Sequence, residues 1–328
     1  MDKYELLRRV YGYEDFRPGQ EELIDSVLSG RDVMGIMPTG GGKSMCYQLP
    51  GLMLPGLTVV ISPLISLMRD QVQALTAAGI PAAYLNSTLT AAQARQVYRN
   101  LYEGRYKILY VAPERLDGEG FLGLAEKVHI SFVAVDEAHC ISQWGQDFRP
   151  SYLRIVQFIE SLPRRPVVGA YTATATKQVR EDIIRILKLN TPVSRITGFD
   201  RPNLYFEVLR PDSKDGELLR LLGSRKRKSG IIYCSTRKNV EAVCQMLIQN
   251  GYKATRYHAG LEEAERSANQ EDFLYDRKPV MVATNAFGMG IDKSNVSYVI
   301  HYNMPRSIES YYQEAGRAGR DGTDADCI

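Results

Sequence analysis

The sequence predicts an α/β protein built from two tandem domains, each with a mainly parallel sheet flanked by helices. Short, almost wholly apolar runs alternate along the chain with longer amphipathic stretches, and this alternation stops once and then restarts. Alternating strand and helix patterns indicate parallel sheets, and strands without polar positions are typical of sheets covered on both faces. The length of 328 residues also fits two domains of ordinary size.

The first domain is expected to span residues 1–198. Its strand-like runs are residues 33–37, 58–62, 107–112, 132–135 and 167–171, and its clearest helical patterns are residues 66–78, 91–103 and 177–187. Residues 191–202 are rich in turn-forming residues, so we predict an irregular linker there that contains the domain boundary.

The second domain is expected to span residues 199–328, where the alternation restarts. Its strand-like runs are residues 230–233, 254–258, 280–284 and 298–301, and its helical patterns are residues 239–249, 262–275 and 308–315. A basic run at residues 225–228 precedes the first of these strands and is predicted to be a solvated loop.

The composition excludes several classes of protein. Hydrophobic residues make up 44% and charged residues 24% of the chain, which is ordinary for a globular protein and excludes a disordered or fibrous one. The five cysteines contain no CxxC pair, so we expect neither a disulfide framework nor a zinc site. We see no secretory signal and no apolar run of the ~18 residues that a membrane span needs, and expect a cytoplasmic location, nucleoid-associated if bacterial.

A glycine-rich phosphate loop is predicted at residues 37–44, MPTGGGKS. It lies between a strand and a helical pattern, where glycines let backbone N–H groups surround phosphate oxygens and the helix N-terminus adds its dipole. Lys43 supplies a positive charge for the β- and γ-phosphates, and the hydroxyl of Ser44 is a candidate Mg²⁺ ligand. Met37 stands where the usual pattern has its first glycine. The alternative is a glycine-rich turn with an incidental lysine.

Two acidic residues that follow a buried strand are predicted to be catalytic. Asp136 and Glu137 come directly after the run at 132–135, and ligands bind at the carboxyl edge of a parallel sheet. Asp136 is expected to hold Mg²⁺ through its water shell, and Glu137 is expected to polarise the attacking water. The alternative is a strand end followed by a helix cap. His139, from its sequence position alone, is either a hydrogen-bonded core residue or a functional one.

Together these motifs resemble those of superfamily 2 helicases, and specifically the RecQ family of DNA helicases. The resemblance covers the whole chain and rests on the joint order of FRPGQEE at 16–22, MPTGGGKS at 37–44, SPLISL at 62–67, DEAHCISQWGQDFRP at 136–150, TAT at 172–174, AFGMGI at 286–291 and QEAGRAGRDG at 313–322. It implies two RecA-like domains with a nucleotide cleft between them. It also implies a monomeric, ATP- and Mg²⁺-dependent DNA helicase that translocates 3′ to 5′ in DNA repair and recombination.

The resemblance assigns nucleotide-binding roles to single residues of the first domain. Tyr13, Arg17 and Gln20 match a segment that recognises adenine, and chemically Tyr and Arg can sandwich a purine while Gln reads its edge. Without the resemblance, Tyr13 and Arg17 are ordinary residues at a helix entry. Further nucleotide contacts are implied for Thr39, Gly40, Gly41, Gly42, Met45, Gly290 and Asp292.

The resemblance also assigns roles to residues near the end of the chain. Arg320 is expected to be the arginine finger that stabilises charge on the γ-phosphate, and Arg317 an interdomain or phosphate contact. Gln313 is expected to line the cleft and to couple to His139. The alternative for the two arginines is a pair of solvated loop residues.

Residues 141–152, the aromatic segment, are predicted to contact single-stranded DNA. They place Trp144, Phe148 and Tyr152 among polar residues directly after the acidic pair, and Trp144 is the only tryptophan in the chain. Aromatic faces stack on unpaired bases, and arginine pairs with phosphate. The alternative is a helical lid that packs Trp144 and Phe148 into the core. The resemblance favours the DNA role, because RecQ helicases carry an aromatic-rich loop at this place.

With a net charge of only +3, DNA binding must depend on a locally basic groove. The candidate contacts are cationic, aromatic or small residues at strand ends, which suit phosphate and stacking contacts more than base-edge recognition. Salt-dependent binding with little sequence preference is therefore expected. Each of the small hydroxyl residues could equally be a helix cap. The candidates are Ser62, Ser66, Arg69, Arg115, Ser142, Trp144, Phe148, Arg149, Ser235, Arg237, His258, Gly260 and Thr284.

Three alternative functions remain open from the sequence: an RNA helicase, a translocase that does not separate strands, and a nucleotide-gated DNA-binding scaffold without turnover. His139 in motif II and the aromatic segment favour the RecQ function over the first. RecQ proteins usually continue into a zinc-binding segment and a winged helix, whereas this sequence ends six residues after Gly322. We therefore expect a truncated or naturally minimal catalytic core, for which ATP hydrolysis and strand binding are better supported than efficient unwinding.

Overall fold

A computed structural model describes residues 2–38, 40–145, 147–198, 200–287 and 293–328 of the chain. The predicted nucleotide contacts Thr39, Gly290 and Asp292 lie outside the described residues. The chain divides into two compact units, residues 1–199 and residues 200–328. Each unit has its own parallel sheet with helices around it, so the predicted α/β class with two parallel-sheet domains is confirmed.

The strands of the first unit run parallel to one another and are covered by helices. They are β1 (Val33–Ile36), β2 (Leu57–Ile61), β3 (Ala82–Leu85), β4 (Ile108–Val111), β5 (Ile130–Val135), β6 (Val167–Thr172) and β7 (Val193–Ile196). Their order across the sheet is β3-β4-β2-β5-β6-β1-β7. Every residue of β1, β2 and β4 is buried, which explains why these strands read as continuous apolar runs in the sequence.

Three helices of the first unit begin at a capping side chain, namely Asp2, Thr90 and Thr176. The hydroxyl of Thr90 accepts a bond from the backbone N–H of Gln93, whose side chain bonds back to Thr90 to complete a capping box. The helices are α1 (Lys3–Leu6), α2 (Gln20–Leu28), α3 (Met45–Met53), α4 (Ile65–Ala77), α5 (Ala91–Tyr102), α6 (Glu119–Lys127), α7 (Arg154–Ser161) and α8 (Lys177–Ile186). A π-helical turn covers Leu7–Tyr11, and 3₁₀ turns cover Pro113–Arg115, Ala138–Ile141 and Pro150–Leu153.

The first sheet has a hydrophobic core on each face. Val59 and Val133 belong to one cluster, whereas their chain neighbours Val60 and Ala134 belong to the other. Successive side chains of a strand point to opposite faces, so both faces of β2 and β5 are buried. This double burial fixes the register of the strands and therefore the place at which each strand ends.

The second unit repeats the arrangement on a smaller scale. Its parallel strands are β8 (Leu204–Phe206), β9 (Ser229–Tyr233), β10 (Ala254–Tyr257), β11 (Val280–Ala283), β12 (Val296–His301) and β13 (Ala325–Cys327), in the order β10-β11-β9-β12-β13-β8. Its helices are α9 (Lys214–Gly223), α10 (Arg237–Gln249), α11 (Glu263–Leu274) and α12 (Ile308–Ala315). Gly230 is required in β9, because a Cβ there would lie 2.1 Å from the ring of Tyr298 on β12.

The prediction of an irregular linker at residues 191–202 is wrong for part of that stretch. β7 forms there and pairs with β1 from Val33 opposite Val193 to Ile36 opposite Ile196. β7 is an edge strand whose residues are half-buried or exposed, so its sequence lacks the apolar run that marks the central strands. β3, β8 and β13 were not predicted either. The strands and helices that were predicted match within two residues at either end.

The five cysteines are free thiols buried in the cores. Within the described ranges, no helix is both long enough and apolar enough to cross a membrane.

Candidate functional site

The candidate site lies at the carboxyl edge of the first sheet, where β2, β5, β6 and β1 end side by side. β1 leads into Met37 and the glycine-rich loop, β5 leads into Asp136, β2 leads into Ser62, and β6 ends at Thr172. Parallel strands all end at the same edge of a sheet. The fold therefore brings the predicted phosphate loop and the predicted acidic pair together.

The glycine-rich loop turns sharply between β1 and α3. Gly40 and Gly42 have φ angles of 79° and 80°, a left-handed conformation that residues with a Cβ rarely adopt. The Nζ of Lys43 donates a hydrogen bond of 3.2 Å to the carbonyl oxygen of Met37 across the loop. α3 begins directly after Ser44, so its first N–H groups and the positive end of its dipole face the loop. This geometry is suited to an anion such as phosphate.

The predicted adenine segment braces this loop. Arg17 Nη1 donates to the carbonyl oxygen of Gly40, and Gln20 Nε2 donates to that of Gly42 at 3.0 Å. Gln20 Oε1 accepts from the backbone N–H of Arg17 at 2.8 Å, so both ends of the buried amide have partners. A Cβ on Gly42 would lie 2.3 Å from Gln20 Nε2, which ties this glycine to the contact. Tyr13 is half-exposed, with 51% of its surface accessible.

Asp136 is buried at the end of β5 and is held by backbone contacts. Its N–H donates to the carbonyl oxygen of Ile61 at 2.8 Å, and its Oδ1 accepts from the N–H of Glu137 at 3.0 Å. Burial, reinforced by the charge of Glu137, raises the pKa of Asp136 to about 7, and the positive charge of Lys43 opposes the rise. The carboxylate is therefore a costly buried anion that a nearby cation would stabilise.

The residues at this edge fit a magnesium ion that keeps most of its water ligands. Mg²⁺ prefers oxygen ligands and is usually held by one or two protein groups plus water and phosphate. The buried carboxylate of Asp136 and the hydroxyl of Ser44 are such groups, and both follow strands or loops of the same sheet edge. No cluster of three or more His, Cys, Asp or Glu ligands is found in the described part of the chain.

Glu137 and His139 form a polar cluster with Thr172. Glu137 has a φ of 47°, an uncommon left-handed conformation that turns the chain sharply after β5. His139 Nδ1 lies 2.8 Å from Thr172 Oγ1 and 3.3 Å from Glu137 Oε2. The hydroxyl of Thr172 donates to the carbonyl oxygen of Thr174 at 3.1 Å, so it accepts from His139 and the hydrogen is assigned to Nδ1. His139 thus links the acidic pair to the end of β6.

The aromatic segment presents its tryptophan to solvent. Trp144 is 70% exposed, so it does not pack into the core as the lid alternative required, whereas Phe148 is half-buried. Arg149 donates to Asp147 Oδ2 from Nε at 3.0 Å and from Nη2 at 2.9 Å, and to the carbonyl oxygen of Pro63 at 3.1 Å. The segment is therefore tied to the residues that follow β2 while the indole ring stays accessible.

The remaining candidates in the first unit differ in how accessible they are. Arg69 and Arg115 are exposed and Ser66 is half-buried, whereas Ser62 and Ser142 are fully buried. Burial keeps the hydroxyls of these two serines from the surface. They are therefore not placed to contact a phosphate directly. Arg115 Nη2 donates to the carbonyl oxygen of Asn86 at 2.9 Å, which places an exposed cation at the carboxyl edge of β3 and β4.

In the second unit, the candidates lie at the carboxyl edge of β9, β10 and β11. Ser235 and Arg237 are exposed, and Thr284 is buried. His258 uses both ring nitrogens within the protein, since Nε2 lies 2.7 Å from Glu241 Oε1 and Nδ1 accepts from the N–H of Gly260 at 3.2 Å. Its ring is thus a structural support of this edge. Glu241 carried no signal in the sequence that could have revealed this contact.

The predicted arginines of the second unit follow α12 in a tightly held loop. Arg201 Nη2 donates to the carbonyl oxygens of Ala318 at 3.0 Å and Gly319 at 2.8 Å, so a cation that sequence reasoning missed fixes the loop backbone. Arg317 is buried, Arg320 is half-buried and Gln313 is half-buried on α12.

The positive charges of both predicted arginines act on Tyr233 at the end of β9. Burial raises the pKa of Tyr233 to about 12, and the positive charges of Arg317 and Arg320 oppose this rise. Both guanidinium groups therefore lie near the tyrosine ring at the carboxyl edge of the second sheet.

Two family descriptions match the chain. "DEAD/DEAH box helicase" matches residues 17–183, and "Helicase conserved C-terminal domain" matches residues 213–322. The chain belongs to the DEAD/DEAH box helicase family. The first match contains the phosphate loop, the acidic pair and the aromatic segment, and the second contains α12 and the two arginines.

The resemblance to RecQ helicases is confirmed by curated relatives. The chain is 50% identical over 324 residues to "ATP-dependent DNA helicase RecQ" of Pasteurella multocida, which takes in 99% of this chain and 51% of the relative. It is 49% identical over 324 residues to the RecQ of Bacillus subtilis, with 98% and 55% covered. The chain thus spans about half the length of these relatives.

Solved helicase structures share the fold at low sequence identity. Saccharomyces cerevisiae Dbp5 bound to RNA and ADP BeF3 aligns with a TM-score of 0.75 at 21% identity, over 99% of this chain and 86% of that one. Mycobacterium smegmatis Lhr bound to ssDNA and AMP-PNP aligns with a TM-score of 0.77 at 20% identity, over 97% and 46%. Likeness at this level supports the helicase-core fold and nothing finer.

Proposed function

We propose that this chain is the ATP-driven motor of a RecQ-type DNA helicase, which couples ATP hydrolysis to movement along single-stranded DNA. The observation that carries the proposal is the short path from the acidic pair to the aromatic segment. Tyr152 Oη, at the end of the segment, donates to the carbonyl oxygen of Asp136 at 2.9 Å, and the N–H of Arg149 donates to the carbonyl oxygen of Cys140 at 2.9 Å. The printed names of the RecQ relatives support ATP as the fuel and DNA as the substrate.

ATP is proposed to bind at the glycine-rich loop. The N–H groups of the loop and of the first turn of α3 surround the phosphates, and Lys43 gives up its bond to Met37 to pair with them. Tyr13 and Arg17 offer an accessible ring and a guanidinium to the adenine. Gln20 has to release Gly42 before its amide can read the purine edge, so adenine recognition is expected to be coupled to the shape of the loop.

Ser44 and Asp136 are the residues proposed to hold Mg²⁺ at this site. The bound ion would neutralise charge on the phosphates. Glu137 is proposed to orient and deprotonate the attacking water, because it is the second carboxylate at the same sheet edge. Thr172 fixes the ring of His139 by accepting its Nδ1 hydrogen, and His139 is proposed to help position Glu137, whose Oε2 lies 3.3 Å from the same nitrogen.

The arginines of the second unit are proposed to act on the same nucleotide. Arg320 would stabilise the charge on the γ-phosphate during transfer, with Arg317 as a second phosphate contact and Gln313 as a partner of His139.

Single-stranded DNA is proposed to bind along the carboxyl edges of both sheets. The exposed indole of Trp144 can stack on an unpaired base, and Arg69, Arg115 and Arg237 can pair with phosphates. Binding of DNA would then reach the acidic pair through Tyr152. Movement in the 3′ to 5′ direction and a role in DNA repair and recombination follow from the RecQ resemblance.

A second candidate is an ATPase that translocates on DNA without efficient unwinding. The test is phosphate release by the purified protein with single-stranded DNA, with RNA of the same length and with neither, beside unwinding of 3′-tailed and 5′-tailed duplexes. Stronger stimulation by DNA with unwinding of the 3′-tailed duplex is expected. Stimulation by DNA without unwinding favours the translocase, and stronger stimulation by RNA contradicts the DNA assignment.

A further inference from the structure

The backbone of the aromatic segment is anchored by Asp182 on α8, a residue outside every motif identified in the sequence. Ser142 is fully buried, and its hydroxyl donates a hydrogen bond of 2.7 Å to Oδ2 of Asp182 on α8. The same hydroxyl oxygen accepts from the backbone N–H of Trp144 at 3.2 Å. A half-buried carboxylate, a buried hydroxyl and the backbone of the exposed tryptophan thus form one chain of hydrogen bonds.

The direction of this chain follows from the donor and acceptor inventory. An ionised carboxylate only accepts, so the single hydrogen of Ser142 is committed to Asp182 and the serine lone pairs are left for Trp144. Asp182 is only 15% exposed, and its Oδ1 accepts from Arg185 Nη2 at 2.6 Å. The bonds from Arg185 and Ser142 lower the pKa of Asp182, so it stays an acceptor at neutral pH.

A second contact restrains the segment on the other side of Trp144. The N–H of Gly145 donates to the carbonyl oxygen of Ser142 at 2.9 Å, and a Cβ on Gly145 would lie 2.3 Å from the carbonyl oxygen of His139. The backbone is therefore folded back against the turn that carries the acidic pair, while the indole ring remains 70% exposed. A large aromatic side chain is held outward on a fixed backbone.

We infer that Asp182 is a positioning residue for the aromatic segment: through the hydroxyl of Ser142 it fixes the backbone at Trp144 and so presents the indole ring to DNA. A ring held in advance loses less freedom when a base stacks on it, so DNA binds the anchored segment better. Ser142 acts as the link in this anchor. The inference rests on the proposed function in one respect, that Trp144 reports on single-stranded DNA.

Asp182→Ala removes the acceptor and leaves the buried hydroxyl of Ser142 without its partner. The expected results are a lower fluorescence anisotropy of Trp144, which as the only tryptophan reports on the segment alone, and a higher concentration of single-stranded DNA for half-maximal ATPase. The expected rise is roughly fivefold, the factor that the loss of one ordinary hydrogen bond produces. The basal ATPase is expected to be unchanged, because the hydrogen bonds of Asp182 within the described ranges join it to Ser142 and Arg185, and neither residue is proposed to bind nucleotide.

Two matched variants separate the anchor from a general loss of stability. Asp182→Asn can offer its one side-chain oxygen to Ser142 while it gives up the bond from the exposed Arg185. It is expected to restore most of the anisotropy and to bring the DNA response to within about twofold of the intact protein. Glu181→Ala removes the neighbouring carboxylate on α8, which is exposed and 4.0 Å from Lys177, and is expected to change neither. Ser142→Ala should lower the anisotropy as Asp182→Ala does, and the double variant should lower it no further, because both remove one interaction.

Intact anisotropy in Asp182→Ala, failure of Asp182→Asn to restore it, or additive losses in the double variant would overturn the anchor. The anisotropy is measured without DNA, so it tests the anchor independently of the proposed function. If Trp144→Ala keeps the full DNA response, the sensor role in the proposed function fails. If Trp144→Ala loses that response while Asp182→Ala keeps it, the anchor alone fails.

Discussion

The carboxyl edges of the two sheets carry opposite chemistry on similar scaffolds. The first unit places two carboxylates and a glycine-rich loop there, with Lys43 as the nearby cation. The second unit places arginines there, and Arg317 is buried although nothing acidic was predicted beside it. The parallel sheet sets where a site can form in each unit, and the residues that follow the strands set whether it attracts a cation or an anion.

The two edges also differ in how their charged groups are supported. Asp136 is held by backbone bonds at the end of β5, and burial raises its pKa, so its charged form needs a cation. The arginine loop after α12 is held by Arg201, which binds the carbonyl oxygens of Ala318 and Gly319. The first edge thus carries the residues proposed to bind a metal–nucleotide complex, and the second carries arginines on a loop whose backbone is held in place.

Lys43→Ala removes the cation at the carboxyl edge of the first sheet. It is expected to have the largest effect on ATP hydrolysis. Without its cation, the loop loses the charge that pairs with the β- and γ-phosphates, so both nucleotide binding and turnover fall. ATP hydrolysis should drop to background in a phosphate-release assay, with circular dichroism to check that the variant is folded. Turnover at the rate of the intact protein would refute the assignment of the loop.

Arg320→Ala removes a cation from the second unit. It is expected to lower ATP turnover much more than nucleotide binding. An arginine finger typically supplies a factor of about 10³ or more in rate and little ground-state affinity. We expect ATP hydrolysis to fall by that factor while binding of a fluorescent ATP analogue stays within about threefold. An equal loss of binding and turnover would argue that Arg320 is a ground-state contact.

Asp136→Asn is expected to lower ATP hydrolysis and, at the same time, to stabilise the folded state. We expect a loss of about 100-fold or more in ATP hydrolysis, since the carboxylate proposed to hold Mg²⁺ is gone. Stability should change in the other direction. The pKa of this acid is raised in the folded state to about 7 from 3.8, so the intact protein loses stability as pH rises through that window and the amide variant does not.

The measurement for Asp136→Asn is urea unfolding of both proteins without Mg²⁺ between pH 4.5 and pH 8. As pH rises, the free energy of unfolding of the variant should increase relative to that of the intact protein, and the difference should level off above about pH 7. A pH-independent difference would contradict the raised pKa.

Arg115→Ala should have the smallest effect. Removal of one phosphate contact is expected to weaken binding of single-stranded DNA severalfold and to reduce the slope of log Kd against log salt by about 1. Arg105→Ala is the matched control, because Arg105 is an exposed arginine before β4 that pairs with Glu103 at 2.6 Å. Equal salt slopes for both variants would remove Arg115 from the DNA-binding surface.

The parts of the site that were readable from the sequence are local ones. The loop at 37–44 and the acidic pair each follow a buried strand directly, so a short stretch of sequence specifies both the residue types and the strand end that carries them. The parts that were not readable depend on contacts between distant segments. Asp182 meets Ser142 across 40 positions and Arg201 meets the loop at Gly319 across 118, and neither pair has a sequence pattern.

Burial was the other property that residue type could not reveal. Ser62, Ser142 and His258 have the chemistry of phosphate contacts, yet their side chains face inward and bind protein groups or lie buried at strand ends. Trp144 shows the reverse, because a tryptophan is usually assigned to the core and this one is 70% exposed.

The proposed coupling of DNA to the acidic pair through the aromatic segment is tested directly by phosphate release. Phosphate release by the intact protein and by Trp144→Ala is measured without DNA and with saturating single-stranded DNA. The intact protein should be stimulated strongly, and the ratio of stimulated to basal rate should fall towards one in the variant, because the side chain proposed to pass DNA binding on to the acidic pair is gone. An unchanged ratio in the variant would contradict the coupling.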